Sequence, residues 1–160
     1  MADLTRVERR GHLRRAAQVG PIREFLAFTL AGELYAVELT TIREIVSPPP
    51  ITHVPRAASD VLGICSVRGL LVTVIDLRQR LRLGDGSGSQ RTRILLSETA
   101  SGEVVGLLVD EVRQVIRLGA SEIEPVASVL GGEISAHVQG IGRPSSDAIV
   151  LLDLGSIVGA

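Results

Sequence analysis

The 160-residue chain predicts an all-β protein, built as one barrel or a pair of barrels. Three observations carry this expectation: about ten short β-forming runs recur along the chain, turn residues close them at short intervals, and no long helical period interrupts them.

The pattern begins at Glu24. Runs from Glu24 to Leu30 and from Glu33 to Leu39 flank an Ala31-Gly32 turn and predict a hairpin. Thr41 then stands three residues before Glu44, with Ile45 and Val46 following. That is capping-box spacing, and it predicts a helix of one or two turns that Pro48, Pro49 and Pro50 bring to an end. Ile51 to Val54 resumes extended structure, and Pro55 to Asp60 is read as a loop. Two β-forming runs lie between Val61 and Ile75, on either side of Arg68-Gly69, where Gly69 supplies the positive φ that a tight turn needs. Leu77, Leu81 and the arginines between them suit a helical turn, and Gly84 to Ser89 has the composition of a flexible loop tip or hinge. Further strands are expected at Thr92–Ser97, Val104–Val109, Val112–Leu118, Val138–Ile141 and Ala148–Leu152, with a polar, Gly-rich stretch through Gly132. No repeat of propeller or solenoid type is present.

Composition narrows the function. Hydrophobic residues make up 45% of the chain, yet no apolar run approaches the roughly 20 residues of a membrane helix, so a soluble protein without membrane insertion is expected. Arg6, Arg9, Arg10, Arg14 and Arg15 break up the first 22 residues, which therefore do not read as a signal peptide. Those residues carry a charge of +3, leaving −4 on the remainder. The segment is read as a basic tail, either a short helix or disordered; a solvated extension and a contact with nucleic acid or anionic membrane are both open for it. The three aromatics, Phe25, Phe28 and Tyr35, fall within eleven residues. Sequence-tolerant binding of single-stranded nucleic acid uses aromatic platforms spread along a basic groove, so nucleic acid is not expected as a partner of the body of the chain.

Groups for catalysis are scattered. Cys65 lies in the apolar run Gly63 to Val67, where a buried small residue and a reactive thiol are the alternatives. As the only cysteine it forms no internal disulfide, which fits a reducing cytoplasm. His12, His53 and His137 are far apart in sequence and suggest neither a triad nor a metal site. The glycines of 84–89 lack the Gly-Lys-Ser/Thr ending of a phosphate loop. Asp76, Asp110 and Asp153 each close an apolar run, as strand terminators and caps or as carboxylates gathered at one rim. No cofactor and no metal are expected, and an apolar-rich chain of this kind acts through its surfaces.

One stretch is more specific. Val61-Leu-Gly-Ile-Cys-Ser-Val-Arg-Gly-Leu-Leu-Val-Thr-Val-Ile-Asp-Leu-Arg78 resembles the signature of the CheW-like family, in which a glycine, an Arg-Gly turn and an Asp-Leu-Arg ending recur at these spacings. Phe25 to Val46, Gly106 to Val112 with Val115 beyond, Gly140-Ile-Gly142 and Ile149 to Leu154 follow in family order. The resemblance spans about residues 23–158 and implies two packed five-stranded SH3-like β-barrels with short connecting helices and no catalytic activity. It implies a cytoplasmic adaptor recruited to membrane-associated arrays, with two partners: the tip of a chemoreceptor (a methyl-accepting chemotaxis protein) and the regulatory domain of a CheA-type histidine kinase.

Carried over residue by residue, the resemblance implies that Ile42 and Glu44 in the short helix and Arg68 in the Arg-Gly turn face the receptor. Glu44 is equally able to close the capping box with Thr41. Gly63 and Gly106 match positions where a side chain would disturb the barrel or the contact, and with Gly69 of the turn they are read as structural or interface glycines. Ser66, Thr73 and His137 depart from the usual Asn, Pro and Tyr, and Arg93 stands where an apolar receptor-facing residue is frequent. An arginine there favours an acidic receptor surface. Three rival readings stay open: a divergent scaffold binding one of the two partners, a thiol-dependent enzyme using Cys65, and a nucleic-acid-binding barrel using the arginine tail.

Overall fold

The computed structural model describes residues 20–84, 89–126 and 136–158. The basic tail, most of the Gly-rich segment at 84–89 and part of the polar, Gly-rich stretch through Gly132 lie outside the described residues.

Eleven strands are described: β1 (Arg23–Leu30), β2 (Glu33–Glu38), β3 (Ile42–Val46), β4 (Val61–Val67), β5 (Leu70–Asp76), β6 (Arg93–Glu98), β7 (Val104–Val109), β8 (Glu111–Leu118), β9 (Ile123–Glu124), β10 (Val138–Gly142) and β11 (Ile149–Leu152). Two short helices accompany them, α1 (Leu77–Arg80) and α2 (Leu154–Val158). The strands form two sheets, one in the order β8-β1-β2-β11-β10-β9 and the other β3-β6-β7-β5-β4. The fold is therefore all-β, in the double-sheet form expected. The first sheet has six strands rather than five because the two-residue β9 pairs with β10 through Ile141↔Glu124 and Gly142↔Ile123. The two sheets do not correspond to the two halves of the chain. The first takes β1 and β2 from one end and β8 to β11 from the other, joined by the parallel pair Tyr35↔Val150 and Ala36↔Leu151.

Alternation along the strands explains the near-continuous apolar runs. Phe25 and Ala27 enter a cluster within the first sheet, whereas Leu26 and Phe28 enter the larger core shared by both sheets. Ile94 and Leu96 likewise enter a cluster within the second sheet, and Leu95 joins the shared core. Strands covered on both faces need apolar residues at successive positions, and three apolar clusters result.

The helix expected after Thr41 is not formed. A 3-10 turn spans Leu39–Thr41, and the chain then extends as β3, pairing with β6. Ile42, Ile45 and Val46 are β-branched, and the free edge of β6 accepts them. The Thr41 hydroxyl donates to the Glu38 carbonyl at 2.6 Å instead of capping a helix, and Ser97 Oγ donates to the Thr41 carbonyl at 2.8 Å. The extended segment at 51–54 is reduced to one bridge, Thr52↔Ile64. His137 belongs to a 3-10 turn just before β10.

The β1–β2 turn places Ala31 at φ 51°. A left-handed alanine costs about 1–2 kcal/mol, of which glycine's extra chain entropy would return part. Ala31→Gly is therefore expected to raise stability by about 0.5–1 kcal/mol in urea unfolding, and a lowered midpoint would count against this.

The three aspartates at strand ends act as caps and turn acceptors. Asp76 accepts from the Arg78 amide at 3.1 Å, Asp110 from the Ala31 amide at 2.9 Å, and Asp153 from the Ser156 amide at 3.4 Å. Burial, and secondarily the nearby Asp110 charge, raise the Asp76 carboxyl pKa above its ordinary 3.8, despite opposing help from the Gln79 and Arg78 amides and the Arg78 charge. A raised carboxyl pKa favours the folded protein while the group is protonated, below 3.8, and that favour is lost as pH rises through the folded value. Asp76→Asn, uncharged at every pH, is expected to gain on the wild type as pH rises from 3 to 7. Urea midpoints that keep a constant gap across that range would refute the assignment.

Candidate partner-binding surface

Arg68 and Gly69 sit at the tip of the β4–β5 hairpin with φ 53° and 80°, between the paired Val67 and Leu70. Both central residues are left-handed, the geometry whose twist matches that of the flanking strands. In the sheet order this hairpin and β3 lie on opposite sides, yet Arg68 Nη2 reaches Glu44 Oε1 at 2.5 Å. The second sheet therefore curls until its two sides meet across this ion pair. Around the meeting point is a groove of about 280 Å³, floored by aliphatic Val67, Leu70, Val72, Leu96 and Val104 and rimmed by Arg43, Glu44 and Arg68.

The rim arginines are accessible, and the Glu44 side chain is 30% exposed. The Arg68 side chain is 78% exposed, and Arg43 pairs with Glu98 at 3.4 Å in a similarly open setting. Pairs of this kind add only about 0.2–1 kcal/mol to stability, so the arrangement is cheap to rearrange against a partner. Leu70 and Leu71 are exposed on the same hairpin, and Ile45 is exposed on β3. These three residues escaped the sequence reading. The signal for the leucines was present: two successive leucines follow the turn, and alternation sends both toward no common interior.

The remaining candidates fall elsewhere. A bulge separates Ile42, paired with Ser97, from Glu44, paired with Leu96, so the two side chains face opposite sides of the sheet. Ile42 is half-buried against the shared core. Arg93 shares the face of Leu95 rather than that of Leu96 and Glu44, about 10 Å along β6 from Leu96. Its Nη1 donates to the carbonyls of Gln90 and Thr92, both at 2.8 Å. A side chain at Gly106 would put its Cβ 2.6 Å from Ile94 Cγ2 and 3.3 Å from Val72 Cγ1, so its bareness shapes the ground beneath the groove floor. At Gly63 a Cβ would lie 2.1 Å from the Thr52 carbonyl oxygen, whereas at Gly69 it would meet nothing within 4 Å.

Cys65 is 4% exposed, and burial pushes its thiol pKa up. That is the opposite of an exposed, low-pKa nucleophile, and it corrects the thiol-enzyme reading. His137 Nδ1 shares a hydrogen bond with Ser156 Oγ of α2. Among the described residues, no three His, Cys, Asp or Glu side chains are grouped to hold a metal ion, and no helix is long and apolar enough to cross a membrane.

Two packed sheets carrying a charged-rim, apolar-floored groove define a class: a small β-domain that works by presenting surfaces to other proteins. The family follows from comparison. The model of the CheW-like domain matches residues 24–160, and the chain belongs to the CheW-like domain family. It is 28% identical over 135 residues to the chemotaxis protein CheW of Rhizobium meliloti (strain 1021), covering 84% of this chain and 86% of that one. With FrzA of Myxococcus xanthus it shares 30% identity over 146 residues, 89% of each chain. The crystal structure of the scaffolding protein TtCheW from Thermoanaerobacter tengcongensis matches at a TM-score of 0.77 and 30% identity, over 86% of this chain and 88% of that one. The chain is accordingly a scaffold or adaptor of chemotaxis signalling, not an enzyme.

Proposed function

We propose that the chain couples the cytoplasmic tip of a chemoreceptor to the regulatory domain of a CheA-type histidine kinase and is recruited with them to membrane-associated arrays. The observation that carries this reading is the Glu44–Arg68 pair at the rim of the apolar groove, on the residues that the family resemblance assigns to receptor contact. Glu44 and Arg68 orient the receptor tip by opposite charges, while Leu70 supplies exposed apolar area at the groove and Ile45 offers it on the opposite face of β3. Ile42 contributes only its uncovered part. Arg93 makes a separate contact with an acidic receptor surface, leaving its bonds to Gln90 and Thr92 to do so.

An adaptor of this kind works by geometry. Holding both partners, it sets the position of the kinase and so lets a receptor shift the kinase between activity states through differential contacts. Each contact is expected to be about micromolar, with avidity in the array supplying the rest. Titrating the chain separately against a receptor-tip fragment and the kinase regulatory domain tests the reading. Binding to both is expected, binding to neither overturns it, and binding to one replaces it with a scaffold that serves a single partner.

A further inference from the structure

The sequence Leu77-Arg-Gln-Arg-Leu81 places two leucines on one helical face with an arginine on each flank, about 80° to either side at 100° per residue. The structure uses all four side chains. Leu77 and Leu81 are buried in the core that the two sheets share. On one flank, Arg78 Nε and Nη2 donate to Asp110 Oδ2, both at 2.8 Å. Asp110 lies where the chain passes from β7 in the second sheet to β8 in the first, and the same oxygen accepts the Ala31 amide of the β1–β2 turn at 2.9 Å. On the other flank, Arg80 Nη1 reaches Asp60 Oδ2 at 2.6 Å, just before β4. Its Nε and Nη2 donate to the Ile157 carbonyl at 3.1 and 2.9 Å, in the last turn of α2 and thus on the first sheet's side.

We propose that α1 is a two-point clamp that fixes the relative orientation of the two sheets, with Arg78 and Arg80 as its positioning residues. Each arginine ties α1, at the end of β5 in the second sheet, to an element of the first: the β1–β2 turn through Asp110, and α2 directly. The attachment points lie on opposite flanks of the buried leucine stripe, so together they add directional resistance to rotation about it, beyond the non-directional apolar packing of the shared core. All four charged side chains are at most a third exposed, which limits screening of the pairs. For an adaptor whose work is geometric, this clamp sets the angle between surfaces carried on different sheets, and its release lets the sheets shear within an intact fold.

The test uses the full chain with spin labels at Ala100→Cys, in the β6–β7 turn, and Gln114→Cys, on β8, both exposed positions on different sheets. Cys65 is buried and stays unlabelled. In the pair Arg78→Met and Arg80→Met, which keeps most of the apolar stems, the inter-label distance distribution is expected to become about twofold broader while far-ultraviolet dichroism is unchanged. Amide exchange at Ala31 is expected to rise by about tenfold while the β4–β5 hairpin keeps its protection. An unchanged distance distribution, or exchange rising equally in both sheets, overturns the proposal, since stability alone predicts the uniform effect. If the double variant does not fold, Asp110→Asn carries the same test: its amide oxygen still accepts from Ala31 but holds no charge for Arg78, and broadening is again the expected result.

Discussion

Gly63→Ala is expected to lower the folding free energy by at least about 3 kcal/mol, read as a fall in the urea midpoint at unchanged slope. The added Cβ would lie 2.1 Å from the Thr52 carbonyl oxygen and 2.7 Å from its carbon, at a φ of +149° that an L side chain rarely adopts. Neither backbone moves freely, because Thr52 and Ile64 exchange both amide bonds, at 2.8 and 2.9 Å. Separating them breaks two hydrogen bonds worth about 1 kcal/mol each, and the strained φ adds about 1–3 kcal/mol. Gly69→Ala is the control: its φ is 80° but its Cβ would meet nothing within 4 Å, so only the conformational cost of about 1–2 kcal/mol remains. A loss below about 1 kcal/mol at Gly63, or a larger loss at Gly69, would mean that the bridge to Thr52 does not confine this strand.

At the groove, Arg68→Glu is expected to weaken binding of a receptor-tip fragment by at least about tenfold, as is Glu44→Arg, with folding stability changed by less than about 1 kcal/mol. The decisive variant is the exchange of both. It restores an ion pair across the groove and, with it, whatever the pair contributes to the curl of the sheet. If the partner reads the individual charges, the exchanged protein folds like the wild type and still binds weakly. Recovery of wild-type affinity would instead make the pair an internal brace, and the partner contact would have to be sought at Ile45, Leu70 and Leu71. Titration calorimetry of the four proteins, with urea midpoints beside it, separates the outcomes.

Much of this was legible from residues alone. Strand runs, the Arg68-Gly69 turn and the Leu77 helical turn are local properties, set by β-branching, positive φ and apolar spacing, and apart from Ile51–Val54, which keeps a single bridge, they stand within a residue or two of where those signals place them. The segment from Thr41 to Val46 was misread because a capping box is also a local signal, and here the open edge of β6 outweighed it. The ion pair of Glu44 with Arg68 depends on sheet curvature, which no spacing encodes, and so does the separation of Ile42 from Glu44 by a bulge. Arg93 illustrates the same limit: its charge was legible, but not that the carbonyls of Gln90 and Thr92 would hold it on the far face. The clamp was hidden in plain composition, since only the packed sheets reveal that the two arginines flanking one leucine stripe reach different elements.

The most direct test of the coupling function is three-component co-sedimentation: receptor-tip fragments displayed on vesicles, the kinase regulatory domain in solution, and the chain added or withheld. The kinase domain is expected to pellet with the vesicles in proportion to added chain, and Arg68→Glu is expected to reduce this. Kinase domain that remains in the supernatant at saturating chain, with each partner shown to be folded, would contradict it.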